Sequence, residues 1–206
     1  CTHVARLAIH AHAQPGVAHA PRRVVDHAHA QGLSVIANAW VPADAFGAAV
    51  DAVHNPAGDA THLGPADVYL YESHGVLLDQ YEDADAWRAK SDALEAYRGT
   101  LGFRVFSITT RATDDPNSYD EAKFFYAWYA ALLEGHEATG WGEFGFSAYG
   151  ASNSVAHFRT RPVLDPGTAF AGPIEHQGQV HTRLTDTGRI KLDTTLRTYG
   201  FSGLVA

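Results

Sequence analysis

The chain has 206 residues, of which 46% are hydrophobic and 18% are charged, and its formal net charge at pH 7 is -8. This composition is typical of a globular protein, and no stretch approaches the roughly 18 consecutive apolar residues of a membrane-spanning helix. An acidic chain with only 15 Lys and Arg residues lacks the clustered positive charge that nucleic acids and anionic membranes require. A neutral ligand suits this surface better.

Strand-like and helical segments alternate along the chain. The pattern predicts, in chain order, a strand at 4–12, a helix at 21–32, a strand at 33–40, a helix at 42–54, a strand at 66–74, a helix at 83–98, a strand at 103–110, a helix at 119–135 and a strand at 140–149. Pro21 begins and Gly32 ends the first helix, the usual asymmetry of helix termini. Such alternation indicates βα units with a mainly parallel sheet.

The number of these units bears on the fold class. Each occupies about 30 to 40 residues, and a complete (β/α)8 barrel typically needs about 250. The chain contains no Met and begins with Cys1, which favours a processed chain or a fragment whose first strands lie upstream. We therefore predict the later βα units of a (β/α)8 TIM-barrel-like fold, with an open α/β sheet as the alternative.

The pattern changes after residue 150. Prolines and glycines mark an irregular connection, and alternating strands at 180–185 and 189–193 surround D-T-G to form a β-hairpin. The predicted organisation is therefore barrel units at residues 1–160, followed by a connection and a C-terminal β-hairpin at 161–206 that packs on the barrel.

Candidate site residues follow from the fold, because catalytic groups of βα folds lie at the carboxyl ends of the strands. Glu72 and Glu143 end two different predicted strands. Two facing carboxylates are what glycosidic bond cleavage requires, one as acid and one as nucleophile or base. The sequence leaves open which glutamate has which role. Aromatic side chains at the same strand ends are suited to stacking on sugar rings.

Three segments resemble a known family: D-V-Y-L-Y-E-S-H, W-G-E-F-G-F-S and V-H-T-R-L-T-D-T-G-R-I-K-L-D. They look like the last strands and closing hairpin of glycoside hydrolases with a TIM-barrel fold. That family has a terminal R-x-F-x-x-G-x-V-x-x-N pattern, and the corresponding residues here are Arg183, Gly188, Ile190 and Asp193. Leu184 stands where the pattern has an aromatic residue, an extra residue precedes Gly188, and Asp193 stands where it has Asn.

The resemblance covers residues 33–195 and implies hydrolysis of a carbohydrate, without a cofactor, by Glu72 and Glu143. It also implies an extracellular, surface or virion location, since such barrels occur in phage tails and bacterial surface assemblies. The substrate-binding residues predicted with the pair are Asn38, Trp40, Tyr71, His74, Arg111 and Trp141.

Two other functions stay open. The first is a structural or glycan-adhesion element bound to other chains of a larger assembly. Glu143 itself also has a structural alternative, in which it pairs with Arg111 or Arg104 inside the barrel as a buried acid. The second is a metal-dependent hydrolase. His10 and His12 lie on the same side of a predicted strand, as in metal-dependent amidohydrolases, with further ligands from His74, Glu72 or His62. The chain has 13 His residues, and H-A-H recurs at 27–29, so a general enrichment of the chain in Ala and His explains the motif equally well.

Overall fold

The computed structural model of the chain describes residues 20–39, 63–112, 119–144, 157–160 and 170–203. Within these ranges the backbone alone is described at 20–24, 37–39, 97, 100–101, 142–144 and 157–160. The strand predicted at 4–12 and the helix predicted at 42–54 lie outside the described residues. The described residues form two compact units, one from residues up to Glu72 together with Asp92–Phe106, the other from Ser73–Ser91 together with Ser107 onward.

Three helices are present in the described ranges: α1 (Ala20–Ala30), α2 (Ala84–Leu101) and α3 (Glu121–Glu134). The strands are β1 (Ile36–Ala39), β2 (Val68–Glu72), β3 (Val76–Leu77), β4 (Gln80–Tyr81), β5 (Arg104–Arg111), β6 (Ala138–Phe144), β7 (His157–Thr160), β8 (Glu175–Gln177), β9 (Val180–Leu184), β10 (Gly188–Asp193) and β11 (Thr198–Gly203). None of the three helices combines the length and the apolar character needed to cross a membrane.

The first unit contains parallel strands β1 and β2, which pair from Ile36↔Val68 to Ala39↔Tyr71. The start of β5 joins them, since the amide of Arg104 donates to the carbonyl oxygen of Asp67 at 3.0 Å. One face of α1 packs on this sheet, because its apolar residues recur at helical spacing. The core of the unit consists of Val25, Ala28, Val35, Leu63, Tyr69, Tyr71, Leu94, Phe103 and Val105.

The second unit is organised around α3. This helix is apolar on most faces and packs against β6 on one side and against β10 and β11 on another. Asp120 caps its first turn by accepting from the amide of Lys123 at 3.0 Å. The second core therefore lies on both sides of the helix and includes Phe124, Ala127, Leu133, Trp141, Ile190 and Leu192.

The predicted C-terminal hairpin is present as β9 and β10, which pair from Leu184↔Arg189 to Val180↔Asp193. It is the centre of a larger antiparallel sheet in the order β11-β10-β9-β8. The predicted irregular connection falls partly at 161–169, outside the described residues.

The prediction of a (β/α)8 TIM-barrel-like fold is wrong. The described strands lie in separate sheets of five, four and two strands, whereas a barrel closes eight parallel strands on themselves. The strand after β6 is the clearest departure, because β7 pairs antiparallel with it, from Ala138↔Thr160 to Trp141↔His157. A barrel would continue with a helix and another parallel strand at that point.

Candidate metal centre

Three side chains of metal-ligand type converge inside the second unit: His74, Glu134 and His136. One ligand atom from each lies within 4.8 Å of the other two. Glu134 Oε2 is 3.2 Å from His74 Nε2 and 2.8 Å from His136 Nε2. The three residues are only 0%, 5% and 2% exposed, respectively. The cluster is therefore an interior feature rather than a set of surface charges.

His74 is held in place by the backbone around it. Ser73, the residue before it, has a left-handed backbone with φ 58, a conformation that is uncommon for residues other than glycine. The Ser73 hydroxyl lies 3.0 Å from Thr110 Oγ1, and the amide of His74 donates to the carbonyl oxygen of Ile108 at 3.2 Å. Both contacts fix the His74 segment against β5.

Glu134 and His136 are positioned by the turn that ends α3. Gly135 adopts the left-handed conformation, with φ 74 and ψ 36. Its amide donates to the carbonyl oxygen of Leu132 at 3.0 Å, and the amide of His136 donates to that of Ala131 at 2.8 Å. These two bonds are the Schellman motif that commonly ends a helix. Glu134 and His136 are two residues apart in the chain, and the turn brings their side chains into contact.

A hydroxyl group lies behind His136. Ser107 Oγ, on β5, is 3.1 Å from His136 Nδ1, and the same oxygen is within donating distance of the Ala138 carbonyl oxygen, at 3.5 Å. His136 is thus contacted on both ring nitrogens, by Ser107 on one and Glu134 on the other. The plane and position of its imidazole ring are fixed on both sides.

The electrostatics of the cluster favour an ionised carboxylate. Burial raises the pKa of Glu134, but the electrostatic influence of His74 and His136 and their hydrogen bonds outweigh burial. The net effect is a pKa well below the usual range of a glutamate. Glu134 therefore carries a negative charge at neutral pH, which is the state in which a carboxylate binds a metal.

Two imidazoles and one carboxylate form a recognised donor set for zinc. Donor atoms bound about 2.0–2.1 Å from a tetrahedral Zn²⁺ are roughly 3.3 Å apart. The Oε2–Nε2 distances of 3.2 and 2.8 Å are close to that spacing, and one ligand atom from each of the three residues lies within 4.8 Å of the other two. The residues present fit such an ion.

The residues predicted for a sugar site are dispersed over both units. In the first unit, Glu72 ends β2 and is buried, and Tyr71 is part of the first core. The backbone of Asn38 lies on β1, and its side chain is outside the described residues, as is all of Trp40.

In the second unit, Arg111 ends β5 and is buried, and His74 belongs to the candidate metal centre. Trp141 lies in the second core, with its ring 5.8 Å from that of Tyr119 at 86°. Glu143 lies on β6, but its side chain is outside the described residues. The pairing of Glu72 with Glu143 therefore stays a prediction, and so does a metal site at His10 and His12, which are also outside the described residues.

The residues that carry the family resemblance have packing roles in the C-terminal sheet. Arg183 Nη1 donates to the Leu133 carbonyl oxygen at 2.9 Å, and its guanidinium lies 3.9 Å from the centre of the Phe170 ring. Ile190 is fully buried. Asp193 accepts from the amides of the turn after β10. Gly188 is needed because a Cβ there would lie 2.3 Å from the Ser202 carbonyl oxygen.

Sequence reasoning found one of the three cluster residues, His74, and missed Glu134 and His136. A signal was present in E-G-H at 134–136. An acid at the last position of an apolar helix opposes the negative end of the helix dipole. The unfavourable position of Glu134 at the helix end indicates that it has a role other than stabilising the helix.

No protein-family model and no curated protein matches this chain. The resemblance to glycoside hydrolases therefore stays a prediction from short motifs, and the candidate metal centre is argued from its own geometry.

Proposed function

We propose that this protein binds a divalent transition-metal ion, best matched by Zn²⁺, through His74, Glu134 and His136. The observation that carries the proposal is the convergence of two imidazole nitrogens on one carboxylate oxygen in the protein interior. Nitrogen and oxygen donors of this kind suit zinc, whereas Mg²⁺ and Ca²⁺ prefer sites made mainly of oxygen atoms.

The charge balance of the cluster supports the proposal. His74 Nε2 and His136 Nε2 lie 3.2 and 2.8 Å from Glu134 Oε2. Burial raises the pKa of the Glu134 carboxyl, but the two histidines lower it by more. A divalent ion placed among the three atoms would bind the ionised carboxylate and both imidazole nitrogens together, and a coordinating nitrogen gives up any proton that it carries.

The placement of the ligands indicates what the ion would do for the fold. His74 precedes β3, Glu134 ends α3 and His136 precedes β6. An ion at this point would link the turn between α3 and β6 to the segment before β3 within the second unit. Because the unfolded chain has no preformed site, binding energy would appear as stability of the folded unit.

A second candidate function is metal-dependent hydrolysis, and the donor set itself favours it. Three protein ligands leave one position of a tetrahedral ion for water, as in hydrolytic zinc enzymes, whereas structural zinc sites have four protein ligands. The burial of all three ligands favours the stabilising role over this one. A panel of ester, amide, phosphoester and glycoside substrates, tested with the zinc-loaded protein, separates the two functions.

The experiment is a zinc titration of the metal-free protein in competition with a chromophoric chelator. The wild-type chain should bind one equivalent of Zn²⁺, and Glu134→Gln should weaken binding at least about 100-fold, because it removes the charged ligand. His29→Gln is the matched control: it removes an imidazole that contacts the buried Asp67 at 2.9 Å, outside the cluster. Failure of the wild type to compete for zinc, or equal binding by Glu134→Gln, would overturn the proposal.

A further inference from the structure

We infer that Ser107 is the positioning residue that orients the ring of His136 and selects its tautomer for metal binding. The inference rests on the proposed function, because it concerns the second ring nitrogen of one proposed ligand. Ser107 is 2% exposed and belongs to β5, so its hydroxyl is held by a strand rather than by a loop.

Coordination fixes where the proton of His136 must be. The ring nitrogen that faces Glu134 is Nε2, and a nitrogen that binds a metal gives up its proton. A neutral imidazole then carries its single proton on Nδ1. That N–H is buried and needs an acceptor, and Ser107 Oγ lies 3.1 Å away.

Ser107 can accept this hydrogen bond from His136 because its own hydroxyl proton is donated to another acceptor. A hydroxyl has one proton and two acceptor lone pairs, and the carbonyl oxygen of Ala138 is 3.5 Å from Ser107 Oγ. Thr109, two residues further along the same face of β5, makes the equivalent contact to the Gly140 carbonyl oxygen at 3.3 Å. The row of β5 hydroxyls therefore donates toward β6.

These contacts form a directional chain in which His136 Nδ1–H donates to Ser107 and Ser107 donates to Ala138. The chain selects the tautomer whose Nε2 lone pair faces the metal position. In other metal sites, partners of this kind orient the ligand, and their removal typically costs about 10- to 100-fold in affinity.

The test compares zinc affinity in wild-type, Ser107→Ala, Ser107→Thr and Ser91→Ala proteins by chelator competition. Ser107→Ala should bind zinc about 10- to 100-fold more weakly, and Ser107→Thr, which keeps the hydroxyl, should restore most of the affinity. Ser91→Ala is the matched control, because Ser91 is also 2% exposed but lies on α2 and has no described contact with the ligands. Its zinc affinity should equal that of the wild type.

A second measurement reads the tautomer directly. In the zinc-loaded protein labelled with ¹⁵N-histidine, long-range proton–nitrogen spectra should show His136 protonated on Nδ1, and this holds whether or not Ser107→Ala folds well. Equal zinc affinity of wild type and Ser107→Ala overturns the inference while the metal site stands. A His136 protonated on Nε2 overturns the inference and also removes His136 from the proposed ligands. Absence of zinc binding by the wild type overturns the proposed function itself.

Discussion

Asp67 and Glu134 are both buried carboxylates that contact histidine, and they differ in the kind of donor that surrounds them. Asp67, in the first unit, contacts the ring of His29 and accepts from the amides of Val35 at 2.8 Å and Gly64 at 2.7 Å. Glu134, in the second unit, contacts the side chains of His74 and His136. One carboxylate joins backbone segments, whereas the other brings together two metal-ligand side chains.

The comparison shows that a histidine beside an acid is not by itself evidence of a metal site. A backbone amide keeps its proton, so the amides at Asp67 cannot give way to a cation. An imidazole Nε2 can lose its proton and coordinate. A histidine beside a carboxylate therefore predicts a structural role where the other partners of the carboxylate are backbone amides, as at Asp67. It predicts a metal-binding role where those partners are imidazoles, as at Glu134.

The largest expected effect comes from Asp67→Ala. It leaves the amides of Val35 and Gly64 without their acceptor, and a hydrogen bond to a charged group is typically worth about 1.5–3 kcal/mol, or roughly 3–6 kcal/mol for the two. The free energy of unfolding, measured in urea, should fall by about that amount, and Asp67→Asn, which keeps one acceptor oxygen, should cost less. The zinc affinity of protein that remains folded should not change, and a loss of zinc affinity would erase the distinction between the two carboxylates.

Glu134→Gln, unlike Asp67→Ala, should reduce the stability that zinc adds to the folded protein. For the wild type, zinc at 100 times its dissociation constant should add about 2.7 kcal/mol to the free energy of unfolding. Glu134→Gln should gain almost nothing at the same concentration. Thermal unfolding with and without zinc measures the difference, and an equal zinc-dependent gain in both proteins would contradict the account.

Gly135→Ala tests the comparison by disturbing the backbone turn that positions His136 beside Glu134. A left-handed conformation costs a non-glycine residue roughly 1–2 kcal/mol, and relief of that strain would move His136 away from Glu134. We expect lower stability together with weaker zinc binding. Gly32→Ala, after α1, is the control, since Gly32 also has a left-handed backbone, with φ +69, and a Cβ there would meet no described atom within 4 Å. It should lower stability without affecting zinc.

The smallest expected effect is that of Asp120→Ala, at the end of α3 opposite Glu134. Loss of this cap should cost about 1 kcal/mol, and Asp120→Asn should cost less. Burial raises the pKa of Asp120, but the amide and ammonium of Lys123 together lower it overall. The cap therefore stabilises fully above the ordinary pKa of about 3.9 and loses its effect as pH falls below it. Urea unfolding of wild type and Asp120→Ala should converge at low pH, while a constant difference would contradict this reasoning.

Much of the local structure could be predicted from the sequence. The helix predicted at 119–135 is α3 at Glu121–Glu134, and the strand predicted at 103–110 is β5 at Arg104–Arg111. Both have strong local signals, namely an apolar segment ended by Gly135 and a run of alternating apolar residues. Such signals depend on neighbours in the chain, which the sequence displays directly.

Strand pairing and the site could not be predicted in the same way. The antiparallel pairing of β7 with β6 depends on tertiary contacts. The short β3–β4 hairpin also lacks a turn signal, since Leu78 and Asp79 have positive φ without glycine. His74 and Glu134 are separated by 60 residues, and no spacing rule joins them. His74 was predicted as a sugar ligand, because its partners become evident only in the folded unit.

The most direct test of the central claim is zinc-edge X-ray absorption of the protein loaded with one equivalent of Zn²⁺, beside Glu134→Gln. The account predicts two imidazole nitrogens and a carboxylate oxygen at about 2.0–2.2 Å in the wild type, with the carboxylate contribution lost in the variant. A spectrum of hydrated zinc, or one that Glu134→Gln leaves unchanged, would contradict it.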